Sequence, residues 1–357
     1  MIRRQFLASL LAASALPRPG WADAGSPAFL AAARAADGSH ALHGLTATGD
    51  SLFAIALPAR GHAAVAHPAR PEAVAFARRP GVFALVIDCA RGQTLARLTP
   101  PAGRQFNGHG VFSLDGAVLY TSEVVAETSE GRLGLWDAAR GYARIGEWAS
   151  GGIGPHDVKR LPGREDLVVA NGGIRTDPAD RSKLNLDAMR PNLTLLDAGG
   201  QVREQMELPP NLARNSIRHL ALLPGGGVAF AMQWEGDPAE PVPLLGLWQP
   251  GEAARLCPPA EADSLAMQGY AGSIAVDRAG GQIALTSPRG GAVQVFSAQG
   301  APLATWRRAD ASGVAPGDAG GFVLTDGNGV ISAVEAGGIR PLRQSAVAWD
   351  NHLIPVG

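Results

Sequence analysis

Five of the eight histidines stand in matching contexts. His62 lies in "RGHAAVA", His109 in "NGHGVFS" and His156 in "GPHDVKR", each just after Gly or Pro and at the head of a short apolar run. These three are spaced 47 residues apart. His219 in "IRHLALL" and His352 in "DNHLIPV" repeat the pattern further along. A neutral imidazole is a good ligand for borderline transition metals such as iron or copper, and a protonated one attracts anions. Spacings this long are useless as a local metal motif. They can do chemistry only if an architecture brings them to one place.

The architecture is legible in the strand-like runs. "ALVID", "AVLYTSE", "RLGLWD", "DLVVAN", "LTLLD", "GVAFAMQW", "QIALTS", "AVQVFS" and "GFVLTD" are short, β-branched or aromatic, and bounded by Gly, Pro or Asp. No amphipathic helix of any length competes. One turn recurs between paired strands, as in "IDCARGQ", "WDAARGY", "LDAGGQV", "WQPGEAA" and "FSAQGAP". In most copies Asp or a small polar residue opens it and Gly takes the position that needs positive φ. A period near 50 residues in an all-β chain predicts a propeller of four-stranded blades. Counting gives seven. Six blades begin near His62, His109, His156, His219, Gly272 and Gly317. The seventh is closed by both termini, with "WDNHLIPV" as its innermost strand and "FLAAARA", "HALHGLTA" and "LFAIAL" as the other three. A long insert, residues 172–192, separates the second and third strands of the third blade.

In this frame His62, His109, His156, His219 and His352 each start an innermost strand, beside the central channel. The antiparallel second strands end at the same face, at Arg78-Arg79, Glu123, Asn171, Gln233 and Thr286-Ser287. Arg218, Asp157 and Asn351 flank the ring. Two readings are open. In one, each imidazole satisfies buried polar groups inside its own blade, as the Gly-His pair of WD-type propellers does. In the other, the imidazoles converge on a metal. The ligands would then be His109, His156 and His219 from adjacent blades, with Glu123 as a carboxylate ligand. His62, His352, Asn171, Gln233, Arg78 and Arg218 would complete a binding mouth.

Composition bounds the rest. The 357 residues are 46% hydrophobic and 18% charged, with a net charge of −1, so neither a nucleic-acid partner nor a strongly charged one is expected. Residues 1–24, "MIRRQFLASLLAASALPRPGWADA", read as a twin-arginine export leader ending at a small-x-small site. The mature domain would span residues 25–357 and work in the periplasm as a monomer, with no membrane segment. Cys89 and Cys257 fall in blades far apart and are expected as two buried thiols. Trp136, Trp148 and Trp248 are expected to pack blades.

The stretches "HPARPEAVAFARRPG", "NGHGVFSLDGAVLYTSE", "GIGPHDVKRLPG", "LVVANGGIRTDP" and "KLNLDAMRPNLTLLD" resemble the bacterial domain of unknown function 1513 family over nearly all of the mature chain. That resemblance implies an exported propeller encoded beside imelysin-type proteins, with periplasmic iron-uptake proteins as partners. It implies no catalytic residues. The expected function is a periplasmic, metal-linked binding protein. A metal-dependent hydrolase of the lactonase-like propeller type and a protein-interaction scaffold, docking through residues 172–192, are the alternatives.

Overall fold

The computed structural model describes residues 19–78, 83–180 and 182–357. Most of the expected leader, with its Arg3-Arg4 pair, and Arg79 of the expected mouth lie outside them.

Seven four-stranded antiparallel sheets form a seven-bladed β-propeller. The innermost strands of blades 1 to 6 are Gly61–Ala66, Arg104–Phe112, Pro155–Arg160, Asn215–Leu222, Ser273–Val276 and Ala311–Pro316. Blade 7 is built from both ends of the chain. Val347–Pro355 pairs with Phe29–Ala35, and His40–Leu45 and Ser51–Leu57 follow outward. Blade 6 starts earlier than expected. Its inner strand ends at Pro316, and Gly317 lies just beyond it, leading into the turn to Phe322–Asp326. The 172–192 insert stands where expected, between Leu167–Asn171 and Asn192–Leu196. One short helix, Glu261–Ala266, escaped the sequence reading. It joins blades 4 and 5, and the Asp263 carbonyl accepts from Gln294 Nε2.

The alternation of apolar residues buries both faces of each sheet against its neighbours. Between blades 3 and 4, Val168, Ala170, Leu193, Ile217, Phe230, Met232 and Trp248 form one such layer. Trp136 is buried between blades 1 and 2 and donates from Nε1 to Thr121 Oγ1 at 2.9 Å. Cys89 and Cys257 are both buried free thiols, and burial pushes the Cys89 thiol up to about 12.

The innermost strands share an irregularity that matters for the site. Their pairing slips at Gly61/Ala64, Phe106/Gly110, Pro155/Asp157 and Ile217/His219 in blades 1 to 4, and at Ala311/Val314 in blade 6. Blade 7 slips between Trp349 and Leu353. A bulge adds an unpaired residue, bends the strand and re-aims side chains. Four of the five recurrent histidines, all but His219, fall within these slips, and His219 is the first residue past one. They lie at the bulges rather than at the strand starts the sequence suggested for His109, His219 and His352.

Residues 21–24, just before Gly25, are built into the fold. Trp21–Ala24 forms a turn of 3-10 helix, Trp21 Nε1 donates to the His67 carbonyl at 2.9 Å, and Ala24 is buried with Leu30 and Leu42. The expected end of the leader at Ala24 therefore falls on a packed segment.

Closure by the last strand makes a direct test. Removing residues 347–357 would strip the partner from Phe29–Ala35, whose first five residues are all buried. An exposed apolar edge strand pairs with other chains. The truncated chain is expected to elute as large oligomers or precipitate on size-exclusion chromatography. A stable monomer would mean that the remaining strands of blade 7 hold without it.

Candidate metal centre in the central channel

The bulges deliver five imidazoles to one point. Following the blades round, the ring centroids are 4.7 Å apart for His352 and His62, 5.0 Å for His62 and His109, and 4.8 Å for His109 and His156. The circuit closes at 4.6 Å from His156 to His219 and 4.7 Å from His219 to His352. His109 is the hub, with its centroid also 5.6 Å from that of His219 and 4.9 Å from that of His352. The backbone makes room for this crowding at Gly108. Its φ is +95°, and a Cβ there would stand 2.6 Å from His62 Cδ2.

Two overlapping triads present ligand atoms that all lie within 4.8 Å of one another. They are His62, His109 and His156, and His109, His219 and His352. His62 Nε2 and His109 Nε2 are 3.2 Å apart. Two nitrogens bound tetrahedrally at metal distances of about 2.0–2.1 Å stand about 3.3 Å apart. That spacing fits a shared ion as well as it fits an N–H···N bond.

The electrostatics suit ligation. His109, His156, His219 and His352 are all held well below the usual imidazole range of 6.5, first by burial and then by the neighbouring imidazoles and by Lys159, Arg218 or Arg78. They are neutral at pH 7, with lone pairs available. Asp157 stands behind the hub, with Oδ1 3.5 Å from His109 Nδ1. A carboxylate on one ring nitrogen fixes the tautomer and turns the other nitrogen to a metal. The other Asp157 oxygen accepts from Leu220 N at 3.0 Å, which ties blade 3 to blade 4. Burial raises the Asp157 carboxyl above its ordinary value.

His67 shows what a histidine doing purely structural work looks like in this molecule. It is buried, its Nδ1 accepts from the amides of Ala69 and Arg70, and its Nε2 meets the Gly116 carbonyl at 3.1 Å. Both nitrogens are used. In the channel, His156 Nδ1, His219 Nδ1 and His352 Nε2 are buried without a hydrogen-bond partner among the described residues. An idle buried polar atom costs roughly 1–3 kcal/mol. His67 thus fills the blade-internal role that the sequence left open for the channel histidines.

The other expected site residues divide. His62, Arg78, Arg218, Gln233 and Asn351 line a cavity of about 290 Å³ on one side of the cluster, together with His156 and His219. Arg78 Nη1 also holds Asp350 Oδ1 at 2.9 Å, and Gln233 Nε2 donates to the Ala271 carbonyl. Glu123 does not join them. It is fully buried in blade 2, its two oxygens gripped by Arg144 at 2.8 and 3.0 Å, with Thr121 donating at 2.7 Å. Asn171 is also committed elsewhere, with Oδ1 accepting from Ser150 and Nδ2 donating to the Ser150 carbonyl and Asn192 Oδ1. Thr286 and Ser287 spend their hydroxyls on the carbonyls of Ser312 and Met267. The sequence reading missed Asn107, Lys183, Tyr270 and Arg289, which also line the cavity. Lys183 belongs to the insert, whose length was its signal. Tyr270 lies just before the inner strand of blade 5 and Arg289 in the turn after its second strand, and neither carried a pattern.

Three comparisons place the chain. The sequence profile described as "Protein of unknown function (DUF1513)" matches residues 55–356, so the chain belongs to that family. No curated protein matches it. Among solved structures, Kuenenia stuttgartiensis hydrazine synthase aligns with a TM-score of 0.58 at 13% identity, over 86% of this chain and 90% of that one. U3-55K aligns at 0.57 and 14% identity over 83% and 82%, and the RRP9 WD40 repeats at 0.58 and 13% over 83% and 81%. At such identities the likeness shows the propeller fold alone.

The depressed imidazoles make a prediction for the metal-free protein. The unfolded chain takes up protons at these residues near pH 6.5, whereas the folded chain does so only well below it. Below pH 6.5 the unfolded state then binds more protons, so stability falls as pH drops. The slope is up to about 1.4 kcal/mol per pH unit for each histidine. Asp157, raised, acts in the opposite direction but is one group against four. Urea unfolding from pH 8 to 5 is expected to give a plateau above pH 6.5 and a steep decline below. A profile flat to pH 5 would mean that the channel imidazoles are freely solvated.

Proposed function

We propose that this member of the DUF1513 family is a metal-binding propeller that holds a first-row transition-metal ion on its channel axis. The observation that carries the reading is the convergence of five imidazoles from five blades, in two triads that share His109. Imidazole sites suit copper, iron, zinc and nickel rather than hard cations. Iron is the ion that fits the setting implied by the family resemblance, and copper is the divalent ion such a site would hold most tightly. In this reading the protein is exported to the periplasm and works there beside iron-uptake proteins.

The ligand set favours binding over lactonase-like hydrolysis. That chemistry wants carboxylate and amide ligands for a hard cation, and Glu123 and Asn171, the two residues expected to supply them, are engaged in blade packing. Asp157 faces His109 from the far side and acts as a positioning residue for it.

Metal content decides the matter. Protein refolded with iron or copper and dialysed is expected to retain the ion stoichiometrically by elemental analysis. A His109→Ala/His156→Ala variant breaks both triads and is expected to retain almost none. Asp157→Asn is expected to weaken affinity about 10- to 100-fold while keeping the ligands in place. Glu123→Gln is the control, expected to lower stability while leaving metal content unchanged. Equal metal content in wild type and the double variant, or none in either, would overturn the reading.

A further inference from the structure

The two ends of the channel differ in chemistry. On one side of the histidine cluster, His109, Asp157, Lys159, His219 and His352 face a cavity of about 280 Å³ whose remaining lining is largely apolar, from Leu220 to Leu222, Ile274 to Val276 and Val314 to Pro316. On the other, the lining of the mouth includes four cationic side chains, Arg78, Arg218, Arg289 and Lys183, against a single carboxylate, Glu235. Lys183 reaches over from the insert and pairs with Glu235. Arg289 stacks on Tyr270, 4.9 Å from its ring centroid, and among the described residues no carboxylate lies within ion-pair distance of it. Asn107 lines the same mouth. It is 5% exposed, its Nδ2 donates to the Pro155 carbonyl at 2.6 Å, and its Oδ1 has no partner among the described residues.

A guanidinium presents a planar fork of donors that matches the two oxygens of a carboxylate or phosphate. A three-histidine metal site leaves at least one coordination position for an outside ligand. In this channel His62, His156 and His219 border both the cluster and the cationic mouth, so an outside ligand reaches the ion through the arginines. We infer that the mouth is a binding site for a small oxyanion, carboxylate or phosphate, which is clamped by Arg218 and Arg289 and completes the coordination of the channel metal. The volume fits a small molecule rather than a polymer segment. This inference rests on the metal reading above, since the anion needs the ion as its anchor.

Calorimetric titration of malonate and of inorganic phosphate separates the two sources of the oxyanion. Each would be added to metal-loaded and metal-free protein. At least one is expected to bind the metal-loaded form tenfold or more tightly than the metal-free form, and the tighter of the two names the chemical class. Arg289→Gln alters an exposed side chain that only stacks on Tyr270, so the fold is expected to survive, with an unchanged melting temperature as the check. This variant and Arg218→Gln are expected to weaken anion binding at least tenfold while retaining a full complement of metal. Binding equal with and without metal, or unchanged in both variants, would overturn the inference and leave the metal reading standing. A wild-type protein that takes up no metal would overturn both.

Discussion

Everything distinctive in this propeller follows from one act of crowding. Five imidazoles are pressed together where the inner strands meet, with neighbouring centroids 4.6–5.0 Å apart. Regular strands would hold alternate residues off the axis, so the inner strands of six blades abandon regular pairing at that level. The cost is local, in lost ladder bonds and in buried ring nitrogens without partners. Blade 5 escapes it. Its inner strand, Ser273–Val276, pairs in register and brings no histidine to the ring. The same fold satisfies both ring nitrogens of His67, so the cost is confined to the channel, where the proposed metal would meet it.

The propeller was legible because its signals are local and repeated. Alternating β-branched runs, a Gly-bearing turn at a steady period and a C-terminal strand without a local partner each constrain the count of blades independently. The histidine ring was legible for the same reason, since a period places equivalent residues at equivalent heights. The position within the strand was not. A bulge depends on how the backbone relieves crowding from the other six blades, and no single blade's sequence encodes that.

Glu123 and Asn171 show where the periodic argument stops. Both stand at the end of a second strand, as Gln233 does, and by register alone all three belong to the same ring. What separates them is the set of polar partners further out and on the neighbouring blade. Blade 2 offers Arg144 from its outermost strand, and the Glu123 carboxylate turns away from the axis to meet it. In blade 3, Asn192 and Thr194 of the third strand and Ser150 of the preceding blade form a polar lock around Asn171. Among the described residues the Gln233 side chain is held by the Ala271 carbonyl without such a lock, and it remains at the mouth. Side-chain direction was decided by partners 21 residues or more away, which a spacing argument does not weigh.

The asymmetry of the channel gives the site a direction. Toward the end lined by Leu220 and Val314 the hub histidine is backed by Asp157, a carboxyl whose burial disfavours its charge and whose neighbours include Lys159. Toward the other end lie the guanidinium groups of Arg78, Arg218 and Arg289 and a lysine supplied by the insert in blade 3. Charge placed this way favours anions at one mouth, whereas apolar walls at the other raise the cost of stripping water from a charged group. On the proposed reading a ligand would approach from the cationic side, which leaves the supporting residues on the other side undisturbed.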